Sequence, residues 1–189
     1  MQRWPLLLAL GAAASACGGP VEDEFVVQGL GSSQGEIRFG EETASHPAVG
    51  LLEMQIGGRI YLCSGTLIAA DAVLTAAHCV DGASAAETFF RVGAGDTFGS
   101  GPTYGVAAIA MIPGYGAIGD VNVPDVAVLR LQGVVPDIAP LPLAQGTPTV
   151  GAKLVGVGFG QDETNGASGI KRSGLMVLEA RLTGSAALP

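Results

Sequence analysis

At 189 residues the chain suits one domain of ordinary size, or one domain behind a short leader. With 48% hydrophobic residues, 14% charged residues and 30 glycines, it is too apolar for a disordered chain and too glycine-rich for a helical bundle. The net charge of -8, from 9 basic against 17 acidic side chains with no basic patch, excludes nucleic acid as a partner.

Residues 1–16 read as an export signal. Arg3 supplies a positive charge, Pro5 to Ala14 form a short apolar run, and Ala14-Ser15-Ala16 is a small-residue cleavage site. The run falls short of the roughly 20 apolar residues that cross a bilayer. No later segment is long and apolar enough, so the mature chain is not expected to be transmembrane. Cys17, followed by Gly18-Gly19-Pro20, is similar to the cysteine that becomes the lipidated N-terminus of bacterial lipoproteins, with Ala14 standing where such signals usually carry Leu. Two fates follow: membrane association through a lipid on Cys17, or plain secretion with cleavage near Ala16. Either makes the protein secreted or part of the cell envelope. Residues 17–36, rich in Gly, Ser, Gln and acidic groups, read as a flexible tether.

Three cysteines in an exported chain leave one unpaired after a single disulfide. If Cys17 carries lipid, Cys63 and Cys79 remain as the pair. Closing that loop would stabilise the fold by roughly 3 kcal/mol in the chain-entropy picture.

From residue 37 the chain breaks into short apolar stretches. Ala48 to Ile56, Arg59 to Ser64, Thr66 to Ala69 and Ala72 to Thr75 come first, then Thr88 to Val92, Tyr104 to Ile112 and Val126 to Leu131. Each has strand composition and is bounded by Gly, Pro, Asp or Ser. Pro136, Pro140 and Pro142 mark an extended connector. Lys153 to Phe159 and Ser173 to Leu182 form a second group. Many short strands with turn signals, no heptads and no long amphipathic helix predict an all-β barrel or sandwich.

Leu74-Thr75-Ala76-Ala77-His78-Cys79 resembles the segment around the catalytic histidine of the trypsin-like (chymotrypsin family) serine proteases. Cys63-Ser64-Gly65-Thr66-Leu67-Ile68 resembles the family strand that carries the partner cysteine. Pro124-Asp125-Val126-Ala127-Val128-Leu129-Arg130-Leu131 resembles the family's aspartate and the buried strand that follows it. Asp125 lies 47 positions after His78, against about 45 in the template. Leu141-Pro142-Leu143-Ala144 and Val155-Gly156-Val157-Gly158-Phe159-Gly160 resemble the connector and the first strand of a second barrel. Ile37-Arg38-Phe39-Gly40 with His46-Pro47-Ala48-Val49 is similar to the start of the mature protease, which makes Ile37 a candidate mature N-terminus. Glu36 precedes it rather than Arg or Lys, so tryptic cleavage is not implied there.

The resemblance implies a chymotrypsin-like double β-barrel over residues 37–189. The first barrel would cover about 37–135 and a partial second barrel about 146–189. It implies a Cys63–Cys79 bridge holding the His78 loop. It also implies that Asp125, shielded from water, accepts a hydrogen bond from the His78 imidazole and fixes its tautomer. The substrates would be proteins or peptides, with no cofactor and no metal. His46 reads as a surface loop residue, and one further His without a spare Cys does not make a zinc site. Asp120, Asn122 and Asp125 fail as a calcium loop, because Asp125 stands at the required Gly and Leu131 at the closing Glu. Gly156, Gly158 and Gly160 lack the βαβ context of a dinucleotide loop.

The family's Gly-Asp-Ser-Gly-Gly context does not occur in the sequence, and Ser168, Ser173 and Ser185 lie in unrelated surroundings. The chain is therefore expected to be a fragment without the serine nucleophile and its oxyanion hole, inactive as given. The alternative is a non-catalytic homologue that acts as an extracellular binding module.

Overall fold

The computed structural model describes residues 40–93, 101–116, 123–161 and 168–179. The signal, Cys17, the tether, Ile37, Asp120, Asn122 and Ser185 lie outside the described residues. Among the described residues nine strands carry the fold, in the order β1 (Glu41–Glu42), β2 (Val49–Ile56), β3 (Arg59–Ala69), β4 (Ala72–Thr75), β5 (Thr88–Arg91), β6 (Thr103–Met111), β7 (Ala127–Leu131), β8 (Lys153–Gly158) and β9 (Arg172–Val177). A single helical turn, α1 (Ala77–Val80), follows β4, and a short 3₁₀ turn (Ala85–Glu87) precedes β5.

Six strands close into a barrel in the order β2-β3-β4-β7-β6-β5, and β1-β9-β8 form a second antiparallel sheet. This is the chymotrypsin-like arrangement, with the first barrel closed and a second sheet beside it. The period-2 alternation expected of half-buried strands is clearest in β7, where Ala127, Leu129 and Leu131 point inward while Val128 and Arg130 point out. β2 departs from it, because its first four residues are all buried. Leu52 and Met54 fill the barrel core with Phe90 and Leu129. Val49 and Leu51, on the other face, pack with Leu62 of β3 and with Val157 and Phe159 from β8 and just beyond it. One strand thus serves two apolar clusters, which is why it reads as a continuous Val-Gly-Leu-Leu run.

Two expected strands, Arg59–Ser64 and Thr66–Ala69, are one strand, because Gly65 does not break it. Gly65 pairs with Gly50 of β2. A Cβ on Gly65 would lie 2.6 Å from Val73 Cγ1, so glycine here permits close packing rather than a turn. The last predicted strand ends at Val177, short of Leu182. In the second sheet Val155, Leu175, Met176 and Val177 remain exposed among the described residues.

Candidate active site

The site is built by the pairing of β4 with β7. Thr75 lies opposite Ala127 in an antiparallel register, so continuing each chain by two residues brings Asp125 beside the start of α1. Asp125 precedes the first residue of β7, and His78 is the second residue of α1. The first N–H groups of a helical turn have no partner within the turn. Asp125 Oδ1 accepts the His78 backbone N–H at 2.8 Å, and Oδ2 lies 2.5 Å from the ring Nδ1. One carboxylate therefore holds both the backbone and the imidazole of the same residue.

Placing the proton on Nδ1, where the carboxylate accepts it, leaves Nε2 with a lone pair. Nε2 lies 3.5 Å from Cys79 Sγ, a weak acceptor. The Cys63–Cys79 disulfide is formed, joining β3 to α1 across a sequence separation of 16. The sulfurs and the His78 ring fall within 4.8 Å of one another. Both sulfurs are consumed in the bridge, so they do not offer the thiolates a metal site needs.

Burial pushes the Asp125 carboxyl up, but hydrogen bonds from the His78 side chain and backbone, the imidazole charge and the Ala77 N–H outweigh it. The net result holds the carboxyl below its usual range. Partial burial, then the carboxylates of Asp125 and Asp81, push the Tyr115 phenol up.

The expected shelter of Asp125 is not found. Its side chain is 45% exposed and that of His78 is 62% exposed. Asp125 lies two residues before the start of β7, and both of its Oδ atoms contact His78. An exposed pair of this kind adds at most about 1 kcal/mol to stability, so the contact contributes little to holding the fold.

A cavity of about 830 Å³ opens beside the ring, lined by His78, Tyr61, Leu62, Val157, Phe159 and Ser168 among others. Ser168, set aside by sequence reasoning, thus shares the cavity with His78. Ser173 lies in β9, paired with Glu41 and Val157. Ser64 and Thr75 were also missed. Thr75 Oγ1 donates to the Ser64 carbonyl at 2.9 Å, and Ser64 Oγ accepts the Phe159 N–H at 2.9 Å. This relay ties the strand before His78 to the far cavity wall. Their places inside the Cys63 and His78 motifs are the only sequence signal for it.

The Trypsin family model matches residues 37–186. Trypsin theta of Drosophila melanogaster is 32% identical over 169 residues, which cover 85% of this chain and 61% of the fly protein. The chain thus spans less than two thirds of that relative's length. A solved structure of HL collagenase superposes with a TM-score of 0.64 at 23% identity, covering 75% of this chain and 63% of that one. The scabies mite inactivated protease paralogue S-D1 superposes with a TM-score of 0.60 at 17% identity, covering 73% and 61%. These two likenesses concern the fold, and they agree with the barrel and second sheet described above. With the family match extending over residues 37–186, and so over every described residue, the chain belongs to the trypsin family of serine proteases.

Proposed function

We propose that His78 and Asp125 are the general base and its orienting carboxylate in a serine endopeptidase. The observation that carries this reading is the double hold of Asp125 on His78, through ring Nδ1 and backbone N–H. In that chemistry a serine hydroxyl attacks the peptide carbonyl while His78 Nε2 takes its proton, and Asp125 stabilises the imidazolium. The nucleophile and the donors that stabilise the oxyanion are not supplied by these 189 residues, in which no Gly-Asp-Ser-Gly segment occurs. Substrates are proteins or peptides met outside the cytoplasm. Residues 1–16 act as the export signal, 17–36 as a tether and 37–189 as the protease domain, with Cys17 as the site of lipid attachment. The absence of a Gly-Asp-Ser-Gly segment also favours a second reading, a non-catalytic homologue that binds peptides in the same cleft.

Turnover of a mixed peptide library separates the two readings. The 189-residue chain is expected to give no cleavage above buffer. The same residues joined in frame to a trypsin-family nucleophile segment are expected to cleave, and to lose cleavage on treatment with a serine-directed acylating reagent. A joined protein that folds and binds peptide without cleaving it would establish the binding module instead.

A further inference from the structure

Lys171 is fully buried, although the sequence places it in a Lys-Arg pair that would ordinarily face water. Its ammonium donates to the carbonyls of Gly93 at 2.9 Å, His46 at 3.3 Å and Ser45 at 3.5 Å. It also sits 5.6 Å from the centre of the Phe159 ring. Among the described residues it has no carboxylate partner. Burial alone holds its pKa below the usual lysine range. A buried charge of this kind costs stability, and an apolar side chain of the same length would avoid the cost. What an apolar residue could not do is direct three donors to carbonyls on two separate segments.

None of these three carbonyls lies among the residues lining the cavity beside His78, and Lys171 reaches that cavity through Phe159. Gly93 follows the end of β5 in the first barrel. Ser45 and His46 form the strap that leads from β1 into β2. Phe159 is the cavity wall whose N–H reaches Ser64. The strap is conformationally costly on its own, since His46 has a left-handed φ of 59° although it precedes Pro47. Its carbonyl is held twice, by Val49 N–H at 3.0 Å and by Lys171. The backbone reinforces the same junction. Thr43 N–H donates to the Lys171 carbonyl at 3.0 Å, and Arg172 reaches Glu42 at 3.3 Å.

We propose that Lys171 is a positioning residue: its buried ammonium pins the 43–47 strap and the Phe159 wall to the end of β5, and so sets the cleft that faces His78. The proposal rests on reading that cleft as the substrate site.

Amide hydrogen exchange by NMR tests it. Lys171→Met keeps the length and removes the donors. It is expected to speed exchange of the Thr43 and Phe159 amides about tenfold or more, leaving Leu52 and Leu129 in the barrel unchanged. Lys171→Arg, which keeps charge and donors, is expected to fall between wild type and the Met variant. Equal exchange in wild type and Lys171→Met, or an Arg variant no better than Met, would show that Lys171 only fills space.

A second arm needs no variant, because Lys153 and Lys171 are the only two lysines of the sequence. Amine acetylation of the native protein is expected to modify exposed Lys153 and to spare Lys171 until denaturant is added. Modification of both at the same rate would overturn the proposal. Neither arm reads peptide turnover, so failure here leaves the His78–Asp125 reading standing, and the reverse also holds.

Discussion

Replacing Asp125 by Asn is expected to lower kcat for peptide cleavage about 10⁴-fold in a protein that joins these residues to a nucleophilic serine. The reason lies in which atoms donate. Asp125 Oδ1 accepts the His78 backbone N–H, and Oδ2 pairs with ring Nδ1. An asparagine can keep the first contact with its carbonyl oxygen. At the second position its NH₂ donates where the carboxylate accepted. The ring must then accept at Nδ1 and carry its proton on Nε2, the atom that has to receive the serine proton. The fold should hardly notice, because both side chains are substantially exposed and such pairs contribute about 1 kcal/mol or less. A kinetic loss with an unchanged melting curve is the expected combination, checked by steady-state assay and thermal denaturation of the same preparation.

The disulfide should behave in the opposite way. Replacing Cys63 and Cys79 together by Ser is expected to lower unfolding free energy by about 3 kcal/mol in a denaturant titration. The bridge closes a loop of sequence separation 16, and opening it returns conformational freedom mainly to the unfolded chain. The double substitution is the proper comparison, because a single one leaves a free thiol. A second cost is local, since Cys79 is nearly buried in the barrel core and Cys63 packs against it. Serine hydroxyls there would need partners that sulfur does not. His78 is the immediate neighbour of Cys79, so the placement of its ring should loosen along with the stability.

Much of this was readable because the governing signals are local. The two cysteine segments, the turn that carries His78 and the strand after Asp125 are short runs whose composition dictates strand and turn. The meeting of His78 with Asp125 follows from the antiparallel register of β4 and β7. What escaped the sequence depends on distant partners. Gly65 reads as a break, but the opposing Gly50 and Val73 make it a site of close strand packing. Asp125 reads as sheltered, yet nearly half its side chain is exposed. Lys171 carries no sign of burial in the sequence, and it is the return of the 43–47 strap and the end of β5 that buries it. Burial of a charged side chain is a tertiary fact that no period or composition announces.

In the proposed pair Asp125 sets which nitrogen of the His78 ring carries the proton, and the imidazole nitrogens report on it directly. The sequence has only two histidines, so the signals of His46 and His78 are readily separated. In ¹⁵N NMR spectra at neutral pH, His78 is expected to carry its proton on Nδ1, and Asp125→Asn is expected to move it to Nε2. Because the Asp125 carboxyl is held below its usual range, the contact should persist as the pH is lowered through the ordinary carboxylate range and fail only when the pH falls through that depressed value. A His78 ring protonated on Nε2 in the unaltered protein, and indifferent to Asp125→Asn, would rule out Asp125 as the group that orients it.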